Sequence, residues 1–347
     1  MRRALLHLGM NKTGSTTIQI ALGRFETDSL VWLRDERFTQ TQMMCLPFRR
    51  PVPEVLWTVQ GEAARKTEQT EARAALDRAM LATSKDVLVS SEFLSDLRNP
   101  EQVANLVDAL RAHVDTVTAL VYLRDAPGYL VSVYQQSLKL HLPKRGINGL
   151  WPNYQKRITP WDTVLGAENV AVRAFDRSCF PDGSLMLDFA QWAGIDQSVL
   201  PPAANANTSL SAEAVGLLYA YRLSVPAMAA DPRCRRAEAW MIHLLQSFGA
   251  RRLAFSRRML RRLMADRAED LSWAEARMGR PFPVSGPRPG RVAIPRLEAL
   301  DDLAVETLPS FLTWLHNTHP KIAAAVQPAG PAQVIAAIVD YMQATRN

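Results

Sequence analysis

LLHLGMNKTGSTTIQIAL, residues 5–22, is the stretch from which the fold can be read. An apolar run ends at Gly9. Lys12, Gly14 and four hydroxyl residues, Thr13, Ser15, Thr16 and Thr17, follow it. Apolar residues then return at helical spacing, so the stretch predicts a buried strand over 4–9, a tight turn, and a helix over 17–25. A glycine-rich turn between a strand and a helix aims backbone N–H groups at one point. The helix N-terminus adds partial positive charge there, so the turn predicts an anion site for a phosphate or a sulfate. A nucleotide-binding loop of the GxxxxGK[ST] kind places its lysine after the last glycine. Here Lys12 precedes Gly14, and the chain contains no Gly-Lys dipeptide.

The same alternation continues outward from this unit. DVLVSSE (86–92), TVTALVYLR (116–124) and NVAVRAF (169–175) read as strands. Helical patterns at 62–83, 100–113, 129–140 and 183–193 separate them. Strands alternating with helices predict an α/β fold of three layers, α/β/α, with a central parallel sheet. Ligands of such sheets bind beyond the carboxyl ends of the strands. The opening loop, Glu92 and Arg124 all fall at such ends. From about 208 the pattern is mostly helical, which predicts an α/β core over 1–205 and a helical region over 206–347. Residues 281–295 (PFPVSGPRPGRVAIP) are rich in proline and glycine and predict a loop.

The chain has 347 residues, 48% of them hydrophobic and 22% charged, enough for one large core or two domains. Lysine and arginine total 41 against 34 acidic residues, a net charge of +7. The surplus is compatible with an anionic ligand. Arg251, Arg252, Arg257, Arg258, Arg261 and Arg262 punctuate one helical stretch and read first as a solvated face, second as a docking surface for an acidic partner. Three scattered cysteines, Cys45, Cys179 and Cys234, argue against a disulfide framework or a zinc site and for a reducing compartment. No metal-ligand cluster is visible. The first apolar run is too short for a signal or membrane segment, so a cytoplasmic protein without a membrane span is expected.

HLGMNKTGSTTIQ resembles the 5′-phosphosulfate loop of the sulfotransferases, particularly bacterial members that begin H-x-G-x-x-K-T-G-[ST]-[ST]. A second segment, YLRDAPGYLVSVYQQSLK, is similar to the family's 3′-phosphate motif, with Arg124 at a strand end and Ser132 eight positions on. The family usually has proline two places after the arginine; here Ala126 stands there and Pro127 follows, which leaves the turn geometry open. RAFDRSCFPDGSLMLDFAQWAGI (173–195) and NANTSLSAEA (205–214), with Asn207 and Ser209, resemble later family segments more loosely; Ser211 also reads as a helix cap. The late glycine- and arginine-bearing loop of animal members has only GPRPGR (286–291) as a counterpart, which reads rather as a linker. The resemblance spans roughly residues 4–215.

It implies a P-loop-like transferase that moves a sulfuryl group from 3′-phosphoadenosine 5′-phosphosulfate (PAPS) to a hydroxyl or amine of a small-molecule or carbohydrate acceptor, without a metal. On this basis the backbone of 13–17 and the hydroxyls of Ser15, Thr16 and Thr17 hold the donor. Lys12 stabilises charge developing on the bridging oxygen, and Arg124 and Ser132 bind the 3′-phosphate. Glu92 is the first candidate for the base and His141 the second. His7 reads as a packed strand residue and His113 as a helix-end cap. Trp151, Tyr154 and Trp161, in a predicted loop, read as an acceptor wall or as core. Two alternatives stay open. A P-loop nucleotide kinase or NTPase lacks its lysine here. A noncatalytic module binding nucleic acid through 251–267 lacks an aromatic platform.

Overall fold

The computed structural model describes residues 1–23, 27–143, 146–197, 209–225, 227, 231–283, 290–327 and 329–345. Its first elements are β1 (Arg3–Leu8), α1 (Ser15–Leu22), β2 (Leu30–Trp32), α2 (Gln40–Cys45), α3 (Glu62–Leu81), β3 (Asp86–Ser91), α4 (Pro100–Arg111), β4 (Thr116–Leu123), α5 (Ala126–Leu140), α6 (Tyr154–Leu165), β5 (Val170–Ala174) and α7 (Leu185–Ala193). Five strands pair in parallel in the order β2-β3-β1-β4-β5. The three central strands are largely apolar, with RALLHL, DVLVSS and TVTALVYL in β1, β3 and β4, because both of their faces are covered. On one face Leu5, Leu88, Leu120 and Tyr122 pack against Ile18 and Leu22 of α1 and Phe189, Ala190 and Ala193 of α7. On the other, Ala4, Leu6, Val87, Val89, Ala119 and Val121 are equally buried, and α4 and α6 lie against β4. The expected α/β architecture, a central parallel sheet flanked by helices, is therefore present.

Contacts divide the chain into two units that are discontinuous in sequence, whereas composition suggests a linear division at 205/206. The first comprises 1–125, 153–206 and 269–283; the second comprises 126–152, 207–268 and 284–347. Besides α5, the second unit contains α8 (Ala212–Ser224), α9 (Pro232–Gln246), β6 (Arg252–Phe255), α10 (Arg257–Asp266), β7 (Arg291–Ile294), α12 (Ala299–Thr318), α13 (Pro320–Ala325) and α14 (Pro331–Thr345), with α11 (Ala268–Met278) leading back to the first. Helix α8 is central, packed by α12 and α14. Gly216 permits the close approach: a Cβ there would lie 3.0 Å from Leu300 O and 3.2 Å from Ala304 N. Ser211 is its N-cap, its hydroxyl accepting from Ala214 N–H at 3.0 Å. Arg222, fully buried, pairs with Glu238 at 2.9 Å and donates to the carbonyls of Leu138 and Lys139, holding the C-terminal end of α5.

Several expectations need correction. Residues 151–161, read as a loop, enter α6 from Tyr154 despite Pro160, because Tyr154, Ile158, Trp161 and Leu165 make one buried face. Of the two readings left open for Trp151 and Trp161, the structure takes the core one: they are 3% and 0% exposed. Strand β7 lies inside the predicted loop 281–295; its pairing partner β6 is distant in sequence, so local pattern does not reveal it. His113 is not a helix cap: α4 ends at Arg111, and His113 Nε2 sits 3.0 Å from Asp77 Oδ1. The expected end of the first helix at Phe25, Asn207, and residues 286–289 of GPRPGR lie outside the described residues.

Candidate active site

The loop between β1 and α1 is held from within. Thr13 Oγ1 donates to Met10 O at 2.6 Å, and Thr13 N–H reaches the same carbonyl at 3.3 Å. Lys12 and Gly14 both adopt left-handed backbone, with φ of 67° and 79°. For lysine this conformation costs roughly 1–2 kcal/mol. At 14 the left-handed backbone favours glycine, and a Cβ there would also press on Leu185 Cδ2 at 2.3 Å and Phe175 Cε2 at 3.1 Å. Left-handed residues alternating with right-handed ones turn successive amides toward one concavity. Helix α1 then begins with no side-chain cap, and its first internal bond runs from Ile18 N–H to Gly14 O. The amides of Ser15, Thr16 and Thr17 precede that bond and point from the helix end, where the dipole is positive. Ser15 departs from the expected row of hydroxyls. It is 1% exposed, and its Oγ lies 3.5 Å from Met10 O, inside the loop. Thr16 and Thr17 are half-buried.

Register brings the other strand ends to this loop. β1 lies between β3 and β4, with Leu8 opposite Ser91 and His7 opposite Leu120. The loops leaving β1 and β4 diverge toward opposite edges of the sheet, which makes the crevice between them the switch point where such sheets bind ligands. Gly9 is pressed against the end of β3: its N–H donates to Ser91 O at 3.0 Å, and a Cβ there would lie 3.1 Å from the Glu92 backbone. Arg124 Nη1 donates to Lys12 O at 3.2 Å, tying the end of β4 to the loop.

Lys12, Glu92 and Arg124 thus share one neighbourhood and feel one another. Burial pushes the Glu92 carboxyl above the usual carboxylate range, and the Lys12 ammonium offsets part of that rise. Burial lowers Lys12 below an ordinary lysine; Glu92 opposes the fall and Arg124 adds to it. Such an edge can hold an anion on two cations and helix amides. It can also present a carboxylate with raised proton affinity.

A supporting layer escaped the sequence pattern. Ser95 Oγ donates to the backbone carbonyls of Gly9 at 2.8 Å and Glu92 at 3.3 Å, holding the loop to the backbone that follows β3. Arg157 of α6, 7% exposed, reaches Ser95 Oγ at 3.3 Å and Asp96 Oδ1 at 2.5 Å. Tyr154 OH donates to Arg124 O at 2.5 Å. Below the loop, His7 is fully buried between Tyr122 and Phe189, with Nδ1 2.7 Å from Ser90 Oγ. The buried Tyr154 and Arg157 were the available signal: polar side chains on the apolar face of a helix need specific partners. Ser132 and His141 belong to the second unit. Ser132 is half-buried in α5; His141 is exposed, its backbone bridging Ala227. Among the described residues no three His, Cys, Asp or Glu side chains are grouped to hold a metal ion, and no helix is long and apolar enough to cross a membrane.

No protein-family model matches the chain. An uncharacterized protein of Archaeoglobus fulgidus is 30% identical over 112 residues, 32% of this chain. The chain spans only 30% of that relative's length. Among solved structures, a sulfotransferase from Alicyclobacillus acidocaldarius aligns with 81% of this chain and 98% of its own, at 13% identity and a TM-score of 0.45.

Proposed function

We propose that this chain is a sulfotransferase that transfers a sulfuryl group from PAPS to a hydroxyl or amine of a small-molecule or carbohydrate acceptor. One observation carries the proposal: an uncapped helix end, entered through left-handed Lys12 and Gly14, faces an edge where Lys12, Glu92 and Arg124 are electrostatically coupled. That edge suits a donor with two anionic ends. The amides of residues 14–17 and the hydroxyls of Thr16 and Thr17 take the phosphosulfate, with Ser15 contributing through its N–H. Arg124 takes the 3′-phosphate, its guanidinium fork matching a phosphate dianion. Ser132 is its proposed partner on the sequence motif alone.

Glu92 accepts the proton of the acceptor hydroxyl or amine as the acceptor atom bonds to sulfur. Its raised proton affinity favours that step. The bond from sulfur to the 5′-phosphate oxygen breaks, and the Lys12 ammonium faces the charge left on that oxygen. His141 remains the second candidate for the base.

Calorimetric titration with adenosine 3′,5′-bisphosphate, beside 5′-AMP and ATP and without magnesium, tests this assignment. Selective binding of the bisphosphate is expected. Preference for ATP, or binding only with magnesium, would return the chain to the nucleotide-kinase alternative.

A further inference from the structure

Helix α10 of the second unit carries charge in an arrangement that folding alone does not favour. At about 100° per residue, Arg257, Arg258, Arg261 and Arg262 fall within an arc of roughly 140°. All four are exposed, while Leu260 and Leu263 on the opposite side are buried. Arg257 and Arg258 occupy the first turn, where the positive end of the helix dipole repels cations, and no acidic residue joins them there. Asp266 stands in the last turn, again the unfavourable end. It meets Arg262 at only 3.8 Å, with side chains 95% and 63% exposed, a loose surface pair.

The neighbouring two-stranded sheet repeats the pattern. Arg252 and Arg291 are register partners on β6 and β7, both exposed, with Ala254 and Ala293 beside them on the solvent face. Like charges on strands about 4.8 Å apart repel. Among the described residues, Arg252, Arg257, Arg258, Arg261 and Arg291 have no carboxylate partner. A further feature bears on the kind of surface: Met264, half-buried, lies about 20° beyond one edge of the arginine arc, and Met259, also half-buried, about 60° beyond the other. No aromatic, asparagine or glutamine side chain stands between the arginines to stack on or read a base.

We infer that α10 and the β6–β7 face form a peripheral docking surface for an anionic phospholipid bilayer. The helix lies flat on the headgroups, its arginines hold lipid phosphates, and the flanking methionines meet the acyl boundary. A basic face on one side of a helix, with methionines beyond its edges and no base-reading side chain, suits a bilayer better than a nucleic acid.

Cosedimentation of the full chain with vesicles of phosphatidylcholine, alone or mixed with phosphatidylglycerol, tests the inference. Binding only to the mixed vesicles, falling as salt rises, is expected. The variant R258Q/R261Q/R262Q should bind roughly a hundredfold more weakly, about fivefold per arginine. R233Q/R236Q removes two exposed arginines from α9 and should have little effect. Thermal unfolding confirms that both variants fold. Equal binding to phosphatidylcholine alone, equal losses in the two variants, or binding of a DNA duplex but not vesicles at the same salt would each overturn the inference. So would no vesicle binding at all.

Discussion

Lowering the pH should weaken the sheet unit through His7. Burial holds this imidazole at about 3, against an ordinary 6.5. At about 1.4 kcal/mol per decade, the charged form is disfavoured in the fold by about 5 kcal/mol relative to the unfolded chain. The cause is geometric. His7 has no solvent exposure, Nδ1 has Ser90 Oγ as its partner, and Nε2 has none, so a proton added there has no acceptor. The folded-state value lies below the unfolded one, so the unfolded chain binds more protons between about pH 3 and 6.5. Stability therefore falls as pH falls through that window, and the full loss is reached below pH 3. Between pH 7 and pH 5 this one group removes about 2 kcal/mol. Denaturant unfolding of wild type and His7→Phe at both pH values checks it. Phenylalanine keeps the edge-on contacts with Tyr122 and Phe189, and Ser90 Oγ keeps Gln19 Nε2 at 3.3 Å. The wild-type loss should exceed the variant's by about 2 kcal/mol, the other histidines being common to both. Equal pH dependence in the two proteins would refute the reasoning.

Lys12→Ala should abolish turnover while relieving a strained left-handed residue of only its side chain, so the melting temperature should change little; a collapse like that of a core mutation would count against its site role. Arg124→Ala should weaken adenosine 3′,5′-bisphosphate about tenfold or more, the worth of a charge-assisted hydrogen bond, and weaken 5′-AMP much less; isothermal titration with both ligands decides, equal losses refuting the assignment. Glu92→Gln should lower the single-turnover rate by about 10²–10⁴ with donor affinity retained, and wild-type turnover would move the base to His141. Gly14→Ala, with its left-handed backbone and a Cβ 2.3 Å from Leu185, should destabilise the first unit by about 2–4 kcal/mol, measured by denaturant midpoint.

Local order carries much of this molecule. β1, the turn and α1 are contiguous, so one run of apolar residues, glycines and hydroxyls sufficed to place the strand–turn–helix unit whose loop we propose holds an anion. The long strands and their helices were legible for the same reason: each spans enough residues to show its period. Strand β2, three residues long, and α2, six, were too short to show one. The loop's interior was not legible either. Ser15 has the residue type of a ligand, yet the turn folds its hydroxyl onto Met10 O.

What sequence alone determined was the α/β class and the residue types at the strand ends. What only the tertiary structure decided was which of them meet. Glu92 is 80 positions from Lys12 and Arg124 is 112, and parallel pairing of β1 with β3 and β4 is what couples them. The same is true of Ser95, just after β3, and of Arg157 and Tyr154, which brace the site from a helix that looked like a loop. Parallel strands have no local partner. Their register, and everything gathered at their ends, is settled by burial of both sheet faces at once, a property of the packed chain that no short window contains.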